Sequence, residues 1–408
     1  MLLRKLGNLF PDPFALSLSK GGFSFGCSTL EKQNGASTSS ARTVRCGIAM
    51  IYLDYQATTP LAPEARDAML RWLDGPDGTG FGNPHSPHRM GRMAAAAVDV
   101  AREQVAALFP AGGRVIFTSG ATEAINLAIR GTASRGGSVS VSAIEHAAVL
   151  DTARSLGDWH ELGVGQDGLC DPQQDVPDDT RLLAVMQVNN EIGTIQPTLD
   201  WHRKAQEMNA LYLCDAVQAY GKVEVTGADM IAVSAHKLHG PKGIGALWVR
   251  DGVELQEAQT GGGQEHGLRS GTLSPALCAG FGAAAKLAKD QMAQDSEHVE
   301  TLWHRARELF SDWTLNGSED ARWHGNLNIR RDGLDVNRLM SDCRNVMFSA
   351  GSACASGSGR TSHVLKAIGL DGRQAKSSIR LGFGRYTPLE DIEQAAKAIN
   401  SAAKEQGL

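Results

Sequence analysis

Four stretches of this chain are apolar almost from end to end: LLAVMQV (182–188), LYLCD (211–215), DMIAVSA (229–235) and GALWVR (245–250). A strand with one wet face alternates apolar and polar residues, whereas a strand apolar throughout is covered on both faces. RVIFT (114–118) and SVSVSA (138–143) add two more strands. Helical patterns lie between them, at AVDVAREQVAALF (97–109), SGATEAINLAIRG (119–131) and AAVLDTARSL (147–156). This alternation predicts an α/β fold with a mostly parallel sheet flanked by helices. Beyond residue 272 the pattern predicts two long helical stretches, 275–292 and 296–313. Sparser strands follow at NLNI (326–329), VMFSA (346–350) and SSIRLGF (377–383), with a closing helix from about 388. This second part reads as a smaller α+β domain, with a boundary near 290.

Apolar residues make up 42% and charged residues 21% of the 408, which excludes wholesale disorder and collagen-like fibre. No apolar run reaches the ~18 residues of a membrane-spanning helix. A net charge of −5 argues against a general grip on nucleic acid. The seven cysteines (Cys27, Cys46, Cys170, Cys214, Cys278, Cys343 and Cys354) are scattered and form no CxxC pair. That pattern opposes a disulfide framework or structural zinc site and favours a reducing compartment.

Residues 1–49 stand apart. They are rich in Ser, Gly and Thr, show no sustained periodicity and carry a net charge of +4, leaving −9 over the remainder. Such a leader fits a disordered tail or an organelle transit peptide, and fits a secretory signal less well. The favoured reading is that it is not native coding sequence and that Met50 is the initiator.

Five segments carry chemistry. In SGATEA, Gly120 permits a tight turn, and the free N–H groups of Ala121 and Thr122 at the helix start form a phosphate cradle. An ordinary capping box to Glu123 would look similar. In DMIAVSAHKLHGPKGIG, Lys237 follows a buried strand, where a desolvated amine is a good Schiff-base former. Ser234 and His236 beside it can donate to a phosphate, and the alternative is a solvated loop. A zinc site on His236 and His239 lacks further ligands. Asp215 ends an apolar strand, where it suits a ligand's positive charge or a helix N-cap, and Gln218 follows it. His146 after Glu145 can stack on a planar ring or move protons, Asn189-Asn190-Glu191 offers polar groups, and Arg380 offers a fork for a carboxylate. Cys354 lies among Ser, Gly and Ala in FSAGSACASGSGRTSHVL (348–365), a segment unable to pack a core. A lone thiol there reads as a nucleophile, while Cys214, Cys278 and Cys343 read as buried structural thiols.

Ten segments in order resemble the cysteine desulfurase family within the class-V aminotransferase group of pyridoxal-phosphate (PLP) enzymes. They are LDYQATTP, FGNPHSPH, TSGATEAINLAIRG, EHAAVLDT, VNNEIGTIQP, CDAVQAYGK, SAHKLHGPKGIGAL, GGGQEHGLRSGT, GSACASGSG and SSIRLGFGRYT. The resemblance runs from Tyr52 to about residue 400. It implies a PLP fold type I with a seven-stranded sheet. The expected division is a large domain over 62–293 and a small domain of 50–61 with 294–408.

The resemblance also implies roles. Lys237 would carry PLP covalently, Asp215 would pair with the ring nitrogen, and His146 would stack on the ring and take part in proton transfer. Asn190 and Gln218 would bond the ring's phenolic oxygen. Ala121, Thr122, Ser234 and His236 would bind the phosphate, with Thr272 from the second subunit of a homodimer. Arg380, helped by Asn190, would hold the substrate carboxylate. Cys354 would take sulfur from L-cysteine as a persulfide, leaving alanine, and pass it to an iron–sulfur scaffold or tRNA-thiolation protein. A transient iron–sulfur ligand role for Cys354 is also implied, with no resident metal. The family commonly has Gly where this chain has Ala235. The alternatives are a selenocysteine lyase or aminotransferase on the same scaffold, or a non-catalytic binding protein. The expected location is the cytoplasm, or an organelle matrix if the leader is a transit peptide.

Overall fold

The computed structural model describes residues 50–351 and 361–408. The first half runs β1 (Ile51–Tyr52), α1 (Pro63–Leu70), α2 (Arg89–Ala106), β2 (Gly113–Thr118), α3 (Ala121–Gly131), β3 (Ser138–Ser142), α4 (Ala147–Leu156), β4 (Trp159–Leu162), β5 (Thr180–Ala184), α5 (Thr198–Glu207) and β6 (Leu211–Asp215). Then come β7 (Met230–Ser234), β8 (Gly245–Arg250), α6 (Pro275–Leu309), β9 (Thr314–Leu315), β10 (Asn326–Arg330), α7 (Val336–Asp342), β11 (Val346–Met347), β12 (Ser349–Ala350), α8 (His363–Ala367), α9 (Gly372–Lys376), β13 (Ser378–Gly382) and α10 (Leu389–Lys404).

Seven strands form one sheet in the order β2-β8-β7-β6-β5-β3-β4. All neighbours pair in parallel except β8, which runs against both β7 and β2. Every residue of β3, β5, β6 and β7 is buried. Alternate side chains serve opposite cores. Tyr212, Cys214, Ile231 and Val233 pack with α2, α5 and the first half of α6. Leu211, Leu213, Met230 and Ala232 pack with α3 and α4 on the other face. Each buried aliphatic side chain contributes about 1.5–3 kcal/mol, so strands covered twice hold the site above them rigidly.

A second sheet has the order β12-β13-β10-β9, and β1 pairs in parallel with β11. A separate apolar cluster joins Ile51 and Leu53 to the second half of α6, β10, β13 and α10.

Several expectations need correction. The two helices expected at 275–292 and 296–313 are one 35-residue helix, Pro275–Leu309. Asp295-Ser296 resembles a cap, yet no Pro or Gly interrupts 283–309, and one helix serves both cores. VMFSA divides into two short strands in different sheets. The strand Trp159–Leu162 and the helices Pro63–Leu70 and Thr198–Glu207 have weak local patterns and were not expected. The tryptophans of the 296–313 stretch are core residues: Trp303 stacks on His324 at 4.4 Å, and Trp313 donates to Asn400.

Candidate active site

The C-terminal ends of β5, β6 and β7 open into a cleft of about 1340 Å³, its mouth included. Ligands of open α/β sheets bind at this edge, where strand ends and helix starts leave polar backbone groups free. Ten of the residues named from sequence line the cleft: Ala121, Thr122, His146, Asn190, Asp215, Gln218, Ser234, His236, Lys237 and Arg380.

Asp215 is the last residue of β6 and is buried. Its Oδ1 accepts the N–H of Val217 at 3.0 Å. Burial pushes its carboxyl above the usual range, while His146, the Val217 amide and Lys237 draw it back. It has no salt bridge among the described residues, so the cleft holds an acid suited to a cationic ligand atom. Lys237 lies in the short turn after β7, and its Nζ donates to the carbonyls of Gln56 at 2.5 Å and Ala57 at 2.8 Å. His146 caps α4, where its Nδ1 accepts the Ala148 N–H at 3.1 Å. Burial lowers its pKa, so the ring is neutral and carries its proton on Nε2.

At the start of α3 the N-cap is Gly120, which has no side chain to cap with, so the capping-box reading is not met. Glu123 accepts the N–H of Ser119, one residue earlier, at 2.6 Å and is also neutralised by Arg269 at 2.7 Å. The acid is thereby occupied, and the first-turn amides of Ala121 and Thr122 remain at the cleft. Strand β8 approaches this turn so closely that a Cβ at Gly245 would lie 2.7 Å from the Gly120 Cα and 2.4 Å from the Val233 oxygen. His236 is held by Thr58 at 3.1 Å, and burial, then Lys237, pulls it down to about 4.

Arg380, on β13, is 1% exposed. It donates to Asp54 and to the Asn190 carbonyl, both at 2.9 Å, and its Nε has no partner among the described residues. An orphaned buried N–H at a cleft wall suits an anionic ligand. Thr272 is exposed and does not line the cleft. Cys354 lies outside the described residues. The segments flanking it bond to residues next to the cleft-lining Arg380, Asn190 and His146. Ser349 donates to Asp54 at 2.8 Å, Ser362 to Glu191 at 2.5 Å, and the His363 Nε2 meets the Glu145 carbonyl at 2.9 Å.

The sequence profile of the aminotransferase class-V family matches residues 51–395. A cysteine desulfurase IscS of Colwellia psychrerythraea is 41% identical, the match covering 86% of this chain and 92% of that relative. The mitochondrial cysteine desulfurase of Eremothecium gossypii is also 41% identical, over 86% of this chain and 76% of its own. Among solved structures, a NifS-like protein aligns with a TM-score of 0.80 at 29% identity, covering 87% of this chain and all (100%) of the other. The chain belongs to the cysteine desulfurases of the class-V aminotransferase family.

As a cysteine desulfurase it is an enzyme, of a family that is PLP-dependent in general. The cleft fits such a cofactor on three counts: a buried acid without an ion pair, an amine at a strand end and free amides at a helix start. Ala235 is accommodated because Gly240 faces it, where a Cβ would come within 2.9 Å of the Ala235 Cβ. Sequence reasoning missed Asp54, Gln56 and Ala57 as site residues. They sit within LDYQATTP, but their contacts lie some 180 to 326 positions away and leave no local signal.

Buried Glu145 supports the site from behind. Its Oε1 accepts the Met186 N–H at 2.6 Å. Burial, then Asp215, pushes its carboxyl well above the carboxylate range, so it stays neutral beside a second acid.

Proposed function

We propose that this enzyme binds pyridoxal 5'-phosphate at Lys237 and moves the sulfur of L-cysteine to Cys354 as a persulfide. The sulfur is then delivered to acceptor proteins, an iron–sulfur scaffold among them. The observation that carries this reading is the meeting of the Lys237 amine, the buried Asp215 carboxylate and the α3 amides in one cleft. When bound, the cofactor supplies an electron sink.

The chain's own residues would do the rest. Asp215 would pair with the ring nitrogen and keep its charge. His146, neutral with its proton on Nε2, would lie against the ring and exchange a proton. Asn190 and Gln218 would bond the ring oxygen. The Ala121 and Thr122 amides, with Ser234 and His236, would hold the phosphate, joined by Thr272 of a second subunit in a homodimer. Arg380, assisted by Asn190, would grip the substrate carboxylate. Cys354 would accept the sulfur atom as its bond to carbon breaks, and alanine would leave.

In this reading residues 62–293 act as the large domain, and 50–61 with 294–408 as the small one. No described helix is long and apolar enough to cross a membrane. Cys170, Cys214, Cys278 and Cys343 are all free and buried, which supports work in a reducing, cytoplasm-like compartment.

The test is incubation of the purified yellow protein with L-cysteine, followed by mass mapping of the persulfide. Cys354→Ala should keep the colour and lose sulfur release. Sulfur release that survives this substitution refutes the nucleophile. A parallel assay with selenocysteine separates the desulfurase from a lyase.

A further inference from the structure

Gln218 is buried, lines the cleft and has both ends of its amide engaged. Its Nε2 donates to the Gln56 carbonyl at 3.0 Å, and its Oε1 accepts from the Nζ of Lys222 at 3.1 Å. A carbonyl oxygen only accepts and an ammonium only donates. A flipped amide would therefore set donor against donor at Lys222 and acceptor against acceptor at Gln56. The amide has one orientation, which Lys222 fixes from the oxygen end and the Gln56 carbonyl from the nitrogen end. Nε2 carries two hydrogens, so one serves Gln56 and the other remains for the cleft. The Gln56 carbonyl also accepts from Lys237, so Gln218 and Lys237 share one oxygen, and Lys222 joins them through the Gln218 amide.

Lys222 is itself held from outside the cleft. Its Nζ lies 4.5 Å from the centroid of the Trp323 ring. It borders a second, smaller cavity, together with Leu238, Ala288, Trp323 and Phe383. Burial, then Lys237, pulls its ammonium down to about 7. The other titratable groups nearby are His236 on the cleft side, and Tyr55, His239 and the mutually paired Asp295 and Arg385 around the small cavity.

We propose that Lys222 is a positioning residue of the desulfurase site, locking Gln218 so that an amide N–H faces the cofactor's ring oxygen. This rests on the reading of the cleft as the PLP site. Negative charge on that oxygen holds a proton at the neighbouring Lys237 nitrogen. A donor aimed at the oxygen, with a cation behind it, withdraws charge and loosens the proton. Lys222 thus sets the pH at which the bound cofactor changes colour.

The experiment is a spectrophotometric pH titration of the holoenzyme and its variants. Lys222→Met should raise the midpoint of the colour change by about one pH unit, a tenfold tighter hold on the proton. Lys222→Arg, which keeps a donor and a charge, should restore the parent midpoint. Gln218→Leu should shift it as Lys222→Met does, and the double variant should shift it no further. A Lys222→Met midpoint equal to the parent's overturns the inference. Should that variant fail to fold, Lys222→Gln against Lys222→Arg decides in the same way, equal midpoints again overturning it. A colourless parent protein would instead sink the cofactor reading itself, and this inference with it.

Discussion

The Nη2 of Arg380 meets the Oδ1 of Asp54 at 2.9 Å, across 326 positions of sequence. Asp54 follows β1, Arg380 lies on β13, and the cleft wall forms where the two segments meet. The pair leaves the guanidinium partly neutralised and its Nε still vacant among the described residues. A buried cation would otherwise be costly, so the Asp54 carboxylate offsets the burial of Arg380 and fixes the direction of its guanidinium.

Arg380→Ala should therefore lower kcat/KM for L-cysteine by about 100-fold, mostly through KM, for the loss of roughly 3 kcal/mol of charge-assisted bonding. Arg380→Lys should recover little, because an ammonium cannot reproduce the fork. Steady-state kinetics on both variants check this, and an unchanged KM in the alanine variant would remove Arg380 from substrate binding.

Asp215→Asn keeps the shape of the buried acid and deletes its charge. Turnover should fall by about 100-fold or more, with an altered visible spectrum, because a neutral amide cannot stabilise a positive ring nitrogen. Parallel spectra and turnover numbers are the measurement, and wild-type values for both would exclude the pairing.

Gly245→Ala should destabilise the fold by about 1–3 kcal/mol and weaken cofactor retention. The added methyl meets backbone at the Gly120 turn and at Val233 rather than a flexible side chain. Thermal melting and cofactor loss on dialysis are the readouts.

His239 gives a pH dependence whose sign can be stated. Burial, then the weaker influence of Arg385 and Lys222, pulls it down to about 4, against upward pulls from Pro60 and Asp295. The unfolded chain then binds its proton more readily than the folded one. This stability is fully present above about 6.5 and is lost as pH falls toward 4, by up to about 3 kcal/mol. The backbone there has φ 67°, which Asn tolerates, so His239→Asn should fold and show a flatter fall in melting temperature over that window. An identical slope in parent and variant would contradict it.

Much of the architecture was legible because the strands are covered on both faces. Continuous apolar runs such as LYLCD and DMIAVSA admit few other arrangements, and Asp215 and Lys237 stand out as charges at the ends of such runs. The 35-residue helix was less legible, because a polar Asp-Ser pair in mid-helix looks like a cap until both halves are seen packed. The Gln56 and Ala57 carbonyls that receive Lys237 had no signature at all. Any residue can offer a backbone oxygen, so only its position distinguishes it.

The residue order alone determined the covered strands, the turn chemistry at Gly120 and the chemical inventory of amine, acid, imidazole and guanidinium. Tertiary structure decided which of these groups share a cleft and which partners hold them: Asp54 on Arg380, Lys222 on Gln218, Glu123 turned to Arg269. The reason is physical. Local pattern follows from backbone and burial preferences a few residues wide, whereas each of these contacts depends on where the chain brings a side chain in space.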